Sequence, residues 1–392
     1  MNIFPFYIGT RGVAAKPSVY RCLADFDSGT FTTLYSVKGL SSPTYLAASE
    51  NDCLYAVGKS PDGDCVYALR ESLSMASAIG RDPMTIISTL PSAGKGPTHL
   101  SVDSRGEFLV CANYGSGGIS LYTLAPDGRI LAQCDSRQYA GVGFDAQDRQ
   151  QGPHAHFAAF HPQRDEVLVC DLGLDMVYVY TLDRKEARLK DTGRSIHLPN
   201  GAGPRHLAFS DAHPDFLYIL TEMANTVFVY CYDQVQRQYE CVQTISAVPD
   251  PTEQNGIAPS SGDLMVPLTA DNGSIGCAIR FSDDGAYLFV SSRLGYQSIT
   301  AYRCESDGLL RFCSRCSCGG ITPRDFNVFA DVSGAGQQAG SDQTSHPDDY
   351  ILVANQDSDL ITALRFTRAD ESLALLDMEM QVDKPTCILP VL

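Results

Sequence analysis

Three arginines, Arg205, Arg293 and Arg324, stand among residues whose types suit acid–base chemistry on an anion. An arginine keeps its charge at any physiological pH and offers a planar fork to carboxylate or phosphate. His156 and Glu222 titrate and can serve as general acid or base. Other catalytic devices are missing from the sequence. It holds no G-x-S-x-G nucleophile elbow and no glycine-rich loop ending in Lys-Ser or Lys-Thr. No His/Cys/carboxylate set stands at metal-ligand spacing. Acid–base work on a small anion, without metal or cofactor, is the simplest chemistry for such a set. It requires an architecture that brings residues far apart in sequence to one place.

An internal repeat provides one. Six segments share a short strand, a polar turn, an apolar strand, a second turn and an alternating strand. They begin at Tyr45, His99, His156, His206, Ala278 and Asp325. Each is rich in Val, Ile, Leu, Tyr and Phe at strand spacing and is broken by Gly, Pro, Asn or Asp turns. A fourth, weaker strand follows each unit, as in QTISAV and LALLDM. Four antiparallel strands in about fifty residues is the arithmetic of a propeller blade. A helical solenoid would need a 3.6-residue period, which is absent. A seventh unit is split: FPFYIGT and KPSVYRCLADFDSGTFTTLYSV supply strands two to four, and the tail PTCILPVL supplies strand one. Pairing the termini closes the ring and leaves no open edge. The expectation is an all-β, seven-bladed β-propeller, six or eight blades being its neighbours in the count. It forms one domain over residues 1–392, with surface insertions near 249–276 and 332–348 that are rich in Pro, Ser, Gly and Asn.

Propeller geometry sorts the polar residues. The start of a blade's first strand and the end of its second share an edge, which is a mouth of the central tunnel. Those positions hold His99 with Asn113, His156 with Asp171, and Arg205 and His206 with Glu222. They continue with Arg280 and Arg293, then Arg324, Asp325 and Asn327 with Asn355 and Gln356. The opposite edge holds plain turn sequences such as DSRGE, HPQRDE and SDDGAY. His156, Arg205, Glu222 and Arg293 are therefore the catalytic candidates. Arg324, Asn113, Asp171, Asn327, Gln356 and His99 are the substrate-binding candidates.

Plainer readings compete at several positions. His154 and His206 fit turn histidines bonded to backbone. Arg205 and Glu222 could be a salt bridge between blades. Asp171 and Asn113 suit strand ends, where such side chains bond backbone. Cys313, Cys316 and Cys318 have C-x-x-C-x-C spacing but no fourth ligand, on what should be an outer strand. GSGG at Gly115 is a tight turn with no helix behind it.

Composition narrows the partners. Hydrophobic residues at 44% suffice for a packed core, and a net charge of −17 argues against a nucleic-acid partner. An anionic ligand must then be met by a few cations placed in a cleft. No run of 18 apolar residues marks a membrane span, and MNIFPFYIGTRG does not read as a signal peptide. The fourteen cysteines are scattered, most of them singly inside apolar strands, as at Cys53, Cys111, Cys170 and Cys231. A reduced, cytoplasmic setting is expected, with the chain a monomer or weak homo-oligomer.

Several motifs together resemble one family. YIGT at Tyr7, GPTHL at Gly96, ANYGSG at Ala112, GPHAHF at Gly152 and GPRHLAF at Gly203 occur in order. TEMANTVFVY at Thr221, SSR at Ser291 and TPRDFNVF at Thr322 follow. The set is similar to the seven-bladed 6-phosphogluconolactonase family, related to carboxy-cis,cis-muconate lactonising enzyme. The resemblance implies a metal-independent lactonase that opens 6-phosphogluconolactone in the pentose phosphate pathway. It implies active-site roles for His156, Arg205, Glu222 and Arg293. Glu222 or His156 would activate water, Arg205 would stabilise the oxyanion, and Arg293 or Arg324 would hold the phosphate. One departure stands out: many relatives carry Asn-Glu where this chain has Gly58-Lys59. Two other readings stay open: a lactonising or isomerising enzyme on a carboxylated substrate, and a ligand-binding propeller without catalysis. The charged mouth and the lack of any tryptophan favour an enzyme.

Overall fold

The computed structural model describes residues 1–71, 83–249, 273–332 and 347–391. It contains seven four-stranded antiparallel sheets and, among the described residues, no α-helix. The protein is a seven-bladed β-propeller. Six blades are consecutive in sequence, and one joins the tail strand Pro385–Pro390 to Ile3–Thr10 from the N-terminus. That joint is antiparallel, with Phe6 opposite Pro390 and Ile8 opposite Ile388. Gly9 of the YIGT motif sits where the joint is tightest. A Cβ there would stand 2.5 Å from the Pro43 carbonyl oxygen.

The pattern of apolar residues explains the stacking. A second strand such as Phe108–Asn113 is buried along its whole length, because each face of its blade meets a neighbouring blade. Val110 and Ala112 pack toward one neighbour, Leu109 and Cys111 toward the other. Seven apolar clusters result, one for each interface between blades, so the core is a ring of wedges. Outer strands such as Ile130–Gln138 are instead exposed or half-buried along most of their length. All fourteen cysteines are unpaired. Cys313 and Cys316 lie on the outer strand Leu310–Ser317, as expected.

Of the two anticipated insertions, residues 250–272 and 333–346 lie outside the described residues. The first is shorter than 249–276, since Ile275 and Gly276 already belong to the strand Ile275–Phe281.

Candidate active site

One small device recurs at the mouth. Besides a slip at Gly276/Ile279, five of the seven innermost strands slip by one residue just inside the strand, and the extra residue of each faces the axis. The slips fall at Pro97/His99, Ala155/Phe157, Pro204/His206 and Pro323/Asp325, and in the tail between Pro385 and Cys387. The five extra residues are Thr98, His156, Arg205, Arg324 and Thr386, and all of them line a cavity of about 480 Å³. In four blades a proline opens the strand, where its missing N–H costs no ladder bond. The residue before that proline is in the left-handed region: Gly96 (φ 61°), Gly203 (φ 64°), Thr322 (φ 59°) and Lys384 (φ 45°). In these four blades a left-handed residue, a proline and a bulge thus aim one side chain into the cavity.

His156 and Arg205 stand together in the cavity wall, both nearly fully buried. Burial, then the positive charges of Arg205 and Arg324, lowers the His156 pKa well below the usual 6.5. Its Nδ1 has no hydrogen-bond partner. The imidazole is held in its neutral form by burial in a site built of cations. Arg205 donates from Nε to Glu222 Oε2 at 2.9 Å, and its Nη1 meets His206 Nε2 at 3.0 Å and the Cys277 carbonyl.

Glu222 and Arg293 do not line the cavity; they stand behind Arg205. Glu222 is 1% exposed and holds Arg293 at 3.2 Å and Arg149 at 2.5 Å besides Arg205. Burial alone would raise its pKa, but Arg293, Arg205 and Arg149 outweigh it and hold the carboxyl at about 2. This carboxylate is an anchor for three guanidiniums, too strongly ionised to take a proton near neutrality.

The binding candidates divide. Arg324 lines the cavity with no carboxylate partner among the described residues. Burial, with the charges of Arg205, Arg293 and Arg11, lowers its pKa to about 9. His99 lies beneath the cavity, its ring between Tyr45 at 4.2 Å and Phe157 at 3.9 Å. Asn113, Asp171, Asn327 and Gln356 do not line the cavity. Asn113 donates to the Ser92 carbonyl at 3.1 Å, and Asp171 accepts from the His154 and Gly173 amides. Asn327 donates to the Ile388 carbonyl at 3.1 Å, and Gln356 to Asp357 at 2.9 Å. They sit one strand further from the axis or turn away from it, and they tie loops.

Three other expectations change. His206 is no turn histidine: it lines the cavity beside Arg205. Arg280 is paired with Phe289, away from the Arg293 end of its strand, and reaches Asp325 at 3.1 Å and Tyr45 at 3.2 Å. Strand patterning misses Arg149 altogether. It lies between blades and touches both Glu222 and the cavity-lining Tyr114, whose hydroxyl is 3.4 Å away. His154 stacks on Tyr114 and bonds its carbonyl at 2.9 Å, a structural role as expected.

Comparison with known proteins gives the family of the chain. The family of lactonases with a 7-bladed beta-propeller matches residues 5–390, and the chain belongs to it. A 6-phosphogluconolactonase of Bacillus subtilis (strain 168) is 28% identical over 386 residues, which is 97% of each chain. A crystal structure of a protein from Lactobacillus plantarum superposes with a TM-score of 0.79 at 25% identity, covering 99% of both chains. A periplasmic gluconolactonase from Pseudomonas aeruginosa shares the fold, with a TM-score of 0.78 at 22% identity over 100% of this chain and 99% of its own. The chain is a lactonase, a hydrolase of cyclic esters.

Proposed function

We propose that the substrate is a sugar lactone carrying an anionic group, with 6-phosphogluconolactone the leading candidate and 6-phosphogluconate the product. The observation that carries this reading is a neutral, unpartnered His156 beside Arg205 in a cation-lined cavity. The similarity to the Bacillus subtilis enzyme supports the choice of lactone.

Water bound against His156 gives it a proton as the water oxygen attacks the lactone carbonyl carbon. The carbonyl oxygen becomes an oxyanion beside Arg205, with Arg324 close by. Preset charge of this kind contributes most when it needs no rearrangement during the step. Collapse of the intermediate breaks the ring C–O bond, and His156 returns its proton to the leaving alkoxide. Glu222 takes no part in proton transfer; it fixes Arg205 and Arg293 in place. With its pKa lowered, His156 is neutral and free to accept at neutral pH, and its conjugate acid gives the proton back readily.

The test is the rate of lactone opening with 6-phosphogluconolactone and with unphosphorylated gluconolactone, corrected for spontaneous hydrolysis. Acceleration with a strong preference for the phosphorylated lactone supports the reading. No acceleration of either lactone removes it.

A further inference from the structure

The chain carries 29 basic residues against 46 acidic ones. The cavity inverts that balance: Arg11, Lys59, Arg205, Arg324 and Lys384 line it, against Asp325 alone. Asp325 is already committed to Arg280 and to the Ile388 amide. Three of the five cations, Arg11, Lys59 and Lys384, have no assigned role and form no ion pair among the described residues. Nearby carboxylates are occupied by backbone: Asp359 accepts from the Lys384 amide at 2.9 Å, and Asp64 from the Gly96 amide at 2.7 Å.

These three residues come from distant parts of the chain, yet backbone hydrogen bonds tie them into one arc. The Arg11 amide donates to the Lys384 carbonyl at 3.0 Å. The next carbonyl along, that of Gly12, accepts from Ser42 at 2.7 Å, and Ser41 in turn accepts from Lys59 at 2.8 Å. The arc lies on the seam where the two ends of the chain close the ring. Lys384 adds an independent sign. It occupies the left-handed position before a proline where two other blades use glycine, Gly96 and Gly203, and a third uses Thr322, whose hydroxyl bonds Asp357 at 2.6 Å. A lysine there costs backbone energy that a glycine would not, so the position points to work done by the side chain.

We propose that Arg11, Lys59 and Lys384 form the subsite for the phosphate of the substrate, across the cavity from His156 and Arg205. The inference rests on the lactonase reading above and deepens it. A phosphate monoester is a dianion near neutral pH, and three unpaired cations plus Arg324 suit it better than a single carboxylate. Substrate selection then lies at the seam, and Arg324 lies between this arc and the reacting carbonyl.

The experiment uses Arg11→Met, Lys59→Met, Lys384→Met and Lys384→Gly in the full chain. The readout is the ratio of kcat/KM for 6-phosphogluconolactone to that for gluconolactone. The expected result is a fall of at least tenfold in that ratio for each variant, carried mainly by KM. Lys384→Gly should melt no lower than the parent, which separates a lost charge from a damaged fold. A ratio within twofold of the parent in all four variants overturns the subsite. Binding of inorganic phosphate, measured by calorimetry on His156→Asn, tests the arc without turnover. If neither lactone is hydrolysed, the functional reading fails, while phosphate binding that disappears in Lys384→Gly still upholds the subsite. Phosphate binding equal in His156→Asn with and without Lys384→Gly overturns it.

Discussion

Arg205 Nε and Glu222 Oε2 stand 2.9 Å apart, with neither side chain more than 2% exposed. Arg149 and Arg293 close on the same carboxylate, so three like charges are held together by one opposite charge. Removing one partner of a buried ion pair leaves the other uncompensated, at a cost of about 3–5 kcal/mol. Glu222→Gln should lose about that much in urea unfolding. A loss under about 1 kcal/mol would mean that the arginines are held by something else.

Acid should reveal the same anchor. The folded carboxyl titrates at about 2, below the ordinary 4.5, so the folded state binds that proton less readily than the unfolded chain. The stability it contributes is present above pH 4.5 and is lost as pH falls toward 2. The amount is about 3 kcal/mol. The gap in stability between the parent and Glu222→Gln should narrow across that window. A gap that stays constant from pH 5 to 2.5 counts against the anchor.

A general base that stays neutral gives a flat pH profile. Burial, then the charges of Arg205 and Arg324, keeps the folded His156 pKa well below 6.5. The acid limb of kcat/KM should therefore lie well below pH 6.5, once spontaneous hydrolysis is subtracted. His156→Asn should reduce turnover by roughly 10²-fold with the fold intact. An acid limb centred at 6.5, or near-parental rates in the variant, would sink the assignment.

Arg205 stabilises the developing negative charge of the carbonyl oxygen in the proposed cycle. Arg205→Lys keeps a charge but loses the fork that spans Glu222, His206 and the Cys277 carbonyl. The expected loss is about 10²–10³ in kcat, the range seen when one oxyanion donor is removed. Stopped-flow measurement on either lactone would show it, and a change confined to KM would speak against the role.

Asn113 supplies a control. Its amide bonds the Ser92 carbonyl and the Ser120 hydroxyl, away from the cavity. Asn113→Ala should cost about 1 kcal/mol of stability and leave kcat/KM of the folded enzyme within about twofold. A large catalytic loss would return this residue to the binding set.

Much of the molecule is legible in its sequence. The repeat, the split blade and the mouth position of His156, Arg205 and Arg324 follow from strand patterning, because a blade buried on both faces leaves a period in the sequence. Strand-end residues mislead: a simple hairpin rule puts Asn113 and Gln356 at the mouth, but Asn113 ends a second strand and Gln356 follows one, a step out from the axis, and their side chains turn back to tie loops. Thr98 and Thr386 escape such a rule because a bulge decides which of two neighbouring side chains faces the axis, and a one-residue slip leaves little trace in apolar patterning. Arg149 belongs to a connection with no periodicity at all. Arg11 and Lys384 become partners only through the closing of the ring, a contact between opposite ends of the chain.

That closing strand also sets an order in time. Among the described strands, Pro385–Pro390 is synthesised after all the others, and its partner Ile3–Thr10 before them. During synthesis six blades can stack while the opening blade waits with one hydrogen-bonding edge bare. Lys384 and Thr386 reach the cavity only when the tail docks. A chain that lacks this strand would thus carry most of its core but an unfinished site, and ligand binding would report that the ring has closed.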